Sequence, residues 1–170
     1  MRRILVATLC LLAACSGGGG SEEAAGPAVT QQATTTTAAA PKSVPAKELV
    51  AALKHSGLPV GKVICYTEET DPNDLLGRPG GYTEKCDWAD RREEQYSPDD
   101  PVGGSVELFD TSEGAAERME YLEGFEGAGA FSTGYTWVVP DGGVTVLRID
   151  QELTPKQAAA YKAAALTELN

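Results

Sequence analysis

The sequence is short of several things that common activities need. Histidine occurs once, at position 55, and cysteine four times in 170 residues. One histidine leaves little scope for imidazole acid–base chemistry or a histidine-rich metal centre. Basic residues are few: 14 Lys and Arg stand against 25 Asp and Glu, a formal net charge of −11. That balance lacks the clustered cations a nucleic-acid surface requires and argues against polybasic attachment to anionic lipid. Long apolar runs are missing apart from one at the extreme N-terminus. Apolar residues still make up 42%, enough for a packed core and too many for a wholly disordered chain.

The N-terminal run reads as an address. Arg2 and Arg3 form a positive start, and Ile4 to Leu12 an apolar stretch well short of the roughly 20 residues a transmembrane helix needs. This is the pattern of a signal peptide. Leu12-Ala13-Ala14-Cys15 resembles the lipobox of bacterial lipoproteins. The resemblance implies cleavage before Cys15, a diacylglycerol thioether on its sulfur and a further fatty acyl chain such as palmitate. Two or more chains give stable anchoring where one is marginal. The expected location is the outer face of the cytoplasmic membrane.

Residues 1–14 are thus read as signal, 15–45 as the lipidated cysteine and a tether, and 46–170 as one globular domain. The tether is rich in Gly, Ser, Ala, Thr and Pro, with Val29 and Val44 as its only larger apolar residues. Such a segment cannot bury enough apolar area to offset its chain entropy, and its root-mean-square reach is about 30 Å. Thr34 to Thr37 is a candidate tract for O-linked sugar, which the intact mass of the exported protein decides.

The domain alternates between helical and strand periods. Ala46, Leu49, Val50 and Leu53 have helical spacing, Pro45 suits the first turn, and His55 suits the negative C-terminal end before Gly57. Strands are expected over 60–67, 82–89 and 104–109, with Tyr82, Cys86 and Trp88 sharing one face. A helix follows over 110–125, with Asp110 and Glu113 as a capping pair. Strands over 131–139 and 144–149 are joined by Pro140-Asp141-Gly142-Gly143, a hairpin signal. The last helix starts at Thr154, with Pro155 at its first position and Gln157 completing a capping box. The order α-β-β-β-α-β-β-α predicts an α+β fold. Its largely antiparallel sheet of about five strands is expected to carry helices on one face.

Cys10 leaves with the signal and Cys15 takes lipid. Cys65 and Cys86 remain, on successive predicted strands and in a compartment that permits disulfides. Their pairing closes a loop worth about 3 kcal/mol in the chain-entropy picture. Free buried thiols or half a metal site are the alternatives, but no CxxC spacing supports zinc. No cofactor is expected.

The most distinctive segment lies between those cysteines. It contains Asp71-Pro72-Asn73, Leu75-Leu76-Gly77-Arg78-Pro79, Tyr82-Thr83, Lys85, Trp88 and Asp90. This run resembles one shared by small secreted proteins and lipoproteins of high-GC Gram-positive bacteria. The resemblance is strong over about 62–92 and elsewhere covers only the order of elements. It implies a compartment and a shape but no chemistry. Gly77, Gly80 and Gly81 with Pro79 demand tight turns, Leu75 and Leu76 pin the loop, and Arg78 has Asp71, Asp74 and Asp87 as candidate partners. One reading is a structural loop knitting two strands. The other is a recognition surface of Asp71, Asn73, Arg78, Tyr82, Trp88 and Asp90.

Catalytic signatures are weak. There is no GxSxG, and a catalytic triad would have to use His55. Gly57 to Val63 misses the phosphate-loop spacing and lacks its Ser or Thr. Asp71, Asn73 and Asp74 suggest a calcium loop, yet Leu76 and Tyr82 stand where a Gly and a Glu are needed. Phe131, Tyr135 and Trp137 fall on one side of a predicted strand and read as core ahead of a sugar platform. The expected function is therefore a non-enzymatic, lipid-anchored binding module for a basic or cell-wall partner, since acidity favours a cationic one. An envelope hydrolase using carboxylates around Asp87 and Asp90 is the alternative, and a plain cell-wall spacer a third.

Overall fold

Period-two alternation in the strands sorts side chains onto two very different sheet faces. The computed structural model describes residues 43–93, 101–127 and 134–170. Cys15, the tether as far as residue 42 and Phe131 lie outside the described residues, whereas Val44, read as tether, packs against the core. The elements are α1 (Ala46–His55), β1 (Val60–Cys65), β2 (Glu84–Asp90), β3 (Gly103–Leu108), α2 (Ser112–Gly127), β4 (Tyr135–Val139), β5 (Thr145–Ile149) and α3 (Pro155–Leu169). The strands form one sheet in the order β1-β2-β3-β5-β4, antiparallel at every pairing. The α+β class and the predicted element order are those observed.

The even-numbered residues of β2 and β3 and the odd-numbered residues of β4 and β5 face α1 and α3. Cys86, Trp88, Val106, Val139, Leu147 and Ile149 there meet Leu49, Leu53, Tyr161 and Ala165 in one core. Thr154 caps α3 and forms the capping box with Gln157, as the sequence predicts. The Glu84 carboxylate accepts the Ala46 N–H at 2.7 Å and so closes the N-terminus of α1. At the other end Gly57, at φ 89°, lets the chain leave the helix.

Three local expectations change. Helix α2 does not join α1 and α3. Its Ala115 and Leu122 pack with Val146, Phe109, Tyr82 and Leu76, and Val146 faces away from Leu147. The first face is already filled by two helices, and Val138 and Val146 on the second need their own cover. Tyr82 belongs to this second cluster and not to the Cys86–Trp88 face, because it precedes β2 and the strand alternation does not extend to it. Finally, the α2 N-terminus is capped by Thr111, whose Oγ1 accepts the Gly114 N–H at 3.1 Å, in place of Asp110.

Cys65 and Cys86 are directly opposed on β1 and β2 and form a disulfide with Cα atoms 4.0 Å apart and a sequence separation of 21.

Candidate functional site

The loop between β1 and β2 is organised by one carboxylate. Asp71 accepts the backbone N–H groups of Leu75 (2.8 Å), Leu76 (3.0 Å) and Asn73 (3.3 Å) and the Tyr82 hydroxyl at 2.6 Å. Asn73 Nδ2 donates to the Tyr82 oxygen at 3.1 Å. Gly77 and Gly80 take positive φ, 73° and 77°, which lets the chain double back within these bonds. Burial pushes the Asp71 carboxyl up, but the bonds from Tyr82, Leu75, Leu76 and Asn73 outweigh it and its pKa is lowered. The Tyr82 hydroxyl is pushed well up by burial and by its Asp71 partner.

This loop and α2 border the second face of the sheet, where Lys85 and Asp87 of β2 and Ser105 and Glu107 of β3 are polar. Two cross-strand rows result. In one, Lys85 opposes Glu107, which opposes Val146, followed by Val138. The Lys85 Nζ lies 3.8 Å from both Asp71 and Asp87 and 4.8 Å from the centre of the Tyr66 ring. Glu107 is fully buried and held by the Arg118 guanidinium through two bonds, at 2.8 and 2.9 Å. Arg148 approaches the same carboxylate at 3.7 Å.

The other row reads Asp87, Ser105, Arg148 and Thr136, each opposite the next on adjacent strands. Among the described residues, Asp87 Oδ1, Ser105 Oγ, Arg148 Nε and Thr136 Oγ1 are buried without a hydrogen-bond partner. Asp87 Oδ2 does accept the Tyr66 hydroxyl at 2.9 Å. Burial raises the Asp87 pKa, against the pull of Lys85 and of the Tyr66 bond.

A polar cleft of about 360 Å³ opens over this row, lined by Tyr66, Asn73, Lys85, Asp87, Ser105 and Arg148, with Asp150 at its margin. A neighbouring cleft of about 500 Å³ shares Asn73 and Arg148 and runs along α2 past Arg118, Tyr121 and Phe125. Tyr121 and Phe125 are exposed and pack edge to face, 4.9 Å between centroids. Together they form a groove with a charged floor and one aromatic wall.

The residues expected to make one recognition surface are dispersed. Asp71, Asn73 and Tyr82 come together, but as the loop's internal scaffold. Arg78 is exposed and pairs with Asp74 at 2.7 Å; its turn borders a separate shallow cleft with Thr83, Phe109 and Thr111. Trp88 is fully buried on the opposite face, 5.5 Å from Tyr161. Asp90, also buried there, accepts Tyr161 at 2.8 Å and Arg92 at 2.8 and 2.5 Å. Burial pushes Asp90 up, yet these bonds win and lower its pKa. Asp87 and Asp90 therefore sit on opposite faces, the paired-carboxylate arrangement is not formed, and the hydrolase alternative loses its geometry. Tyr135 and Trp137 pack partly buried against the α1–α3 core, as a core reading requires.

Ser105, Glu107, Arg118 and Arg148 were missed by motif reasoning. Their signal is the alternation Ser105-Val106-Glu107-Leu108, which reads as a wet outer face until α2 covers it. No family model matches the chain, and no curated protein or solved structure matches it.

Proposed function

We propose that the protein is a lipid-anchored, extracytoplasmic binding module that presents the groove between the Asp71–Tyr82 loop and α2 to a small ligand. One observation carries this reading: three side chains of a single row, Asp87, Ser105 and Arg148, each with a buried polar atom left unpaired, line one cleft. A buried polar atom left without a partner costs about 1–3 kcal/mol. A fold that keeps three in a line is spending stability on something other than packing, and binding clefts are where convergent polar groups collect. The Cys65–Cys86 bridge suits an oxidising compartment, in keeping with the lipobox at Cys15. Among the described residues no helix is long and apolar enough to cross a membrane, so attachment rests on the lipid.

Two measurements test this. Cys15→Ser moves the protein from the membrane fraction to the soluble fraction; unchanged membrane association overturns the anchor. Thermal unfolding of the full chain, run with low-molecular-weight fractions of cell envelope and growth medium, rises in Tm where a ligand is present, because a molecule that binds only the folded state stabilises it. Indifference to every fraction overturns the binding role.

A further inference from the structure

The cleft floor also specifies what kind of molecule it takes. Asp87, Ser105 and Arg148 lie on three adjacent strands, so an acceptor, a hydroxyl and a cation are spaced at about 4.8 Å steps. Arg148 keeps its Nε unpaired while its Nη1 is only 3.7 Å from a Glu107 that Arg118 already holds. That leaves a guanidinium edge for a carboxylate, with the Ser105 hydroxyl beside it as a second donor. Asp87 Oδ1, two strands away, is an unpaired acceptor suited to an ammonium group.

Charge balance narrows the class. Around the floor, Asp71, Asp87, Glu107 and Asp150 are interleaved with Lys85, Arg118 and Arg148, a near balance of charge. A ligand with net charge would enter uncompensated, which burial penalises heavily. A dianion such as phosphate meets Asp87 and Asp150, and a metal cation meets Lys85 and Arg148. A sugar needs an aromatic face, but the ring of Tyr66, the aromatic lining this cleft, lies against the Lys85 ammonium. A molecule with both an ammonium and a carboxylate matches the row end to end. About 360 Å³ is at the small end for ligand sites, and two strand steps are about the span of two to three extended residues. We propose that the Asp87–Ser105–Arg148 row binds a small zwitterion, a peptide of two or three residues, with its carboxylate on Arg148 and Ser105 and its ammonium on Asp87.

This proposal rests on the groove being a binding site, and the experiment separates the two. Ligand-observed NMR is run on the full-chain protein with a mixture of amino acids, a mixture of dipeptides, their N-acetylated and C-amidated forms, glucose and inorganic phosphate. The expected result is saturable binding of a dipeptide and weaker or no binding of the free amino acids. Blocking either its amine or its carboxylate weakens it at least tenfold. Arg148→Met, with unchanged amide spectra elsewhere in the sheet, abolishes binding, and Ser105→Ala weakens it about fivefold to tenfold. Equal binding of the blocked forms overturns the zwitterion assignment, as does binding of a zwitterion undiminished in Arg148→Met. Binding of only glucose or phosphate, lost in Arg148→Met, also overturns it while keeping the groove as a site. No binding by any probe overturns the zwitterion, and the Tm measurement with native fractions then decides the groove independently.

Discussion

On the side of the sheet covered by α1 and α3, Trp88 lies fully buried against Tyr161. It also packs against the backbone of β3, where a Cβ on Gly104 would meet its ring at 2.6 Å. One residue earlier, on the other side, Asp87 is half-buried, and its buried Oδ1 is unpaired. The first face is apolar, closely fitted and stabilising. The second is a lattice of charges in which some groups, Glu107 with Arg118 and Asp71 with Tyr82, are satisfied by the chain, and others are not. Burial alone therefore does not separate structure from function here, and neither does an unpaired atom by itself, since Trp88 Nε1 and Thr145 Oγ1 on the first face also lack partners; an unpaired atom on a residue that lines a cleft does. A buried acid whose oxygens are all engaged belongs to the scaffold, and one with an oxygen left over belongs to the site.

Substitutions can break this contrast, starting with the largest effect. Trp88→Ala removes the largest fully buried side chain and is expected to cost about 4 kcal/mol, read as a lowered denaturation midpoint. An effect under about 1 kcal/mol would show that the first face is not the main source of stability. Arg118→Ala leaves the Glu107 carboxylate buried against only the distant Arg148 contact and should cost about 3 kcal/mol, most of it recovered when Glu107→Leu and Arg118→Met are combined. Failure of the double variant to recover would assign the pair a role beyond mutual neutralisation.

Asp87 and Asp90 give the contrast a pH signature. The raised pKa of Asp87 means that its contribution is present below its unfolded-state pKa and is lost as pH rises through its folded-state pKa. The lowered pKa values of Asp71 and Asp90 mean the reverse: their contribution is present above the ordinary carboxylate range and is lost as pH falls through it. Asp87→Asn should therefore improve relative to wild type as pH rises above about 4, whereas the deficit of Asp90→Asn is level there and shrinks only as pH falls below about 4. Paired Tm curves check both, and parallel slopes would erase the distinction. The smallest effect is expected at Ser105→Ala. Removing a buried hydroxyl that bonds to nothing should raise stability by about 1 kcal/mol. A loss of 2 kcal/mol would make Ser105 a structural residue.

Much of this architecture could be read directly from residue patterns. The Thr154-Pro155-Gln157 start of α3, the Pro140–Gly143 hairpin, the opposed Cys65 and Cys86 and the element order all follow from local chemistry. Leu75 and Leu76 pin their loop as expected. Arg78 chose Asp74 among its possible partners because the pair sits four positions apart on one turn, the nearest of the choices. What pattern could not give was the side of the sheet that α2 would take, because an amphipathic helix fits either face and only the prior filling of one by α1 and α3 decides. The site depended on that outcome: with α2 on the first face, Glu107 and Arg148 would stand in water as ordinary surface charges. Trp88 and Asp90 misled for the same reason, since aromatic and acidic residues in a distinctive motif serve a core as readily as a surface.

The Cys65–Cys86 bond encloses the whole loop that Asp71 organises. A peptide bond severed anywhere between Tyr66 and Lys85 leaves both fragments covalently joined, so a single proteolytic nick opens a ring without dividing the molecule. Such a clipped form keeps its mass apart from one added water, and only a reducing agent reveals the scission.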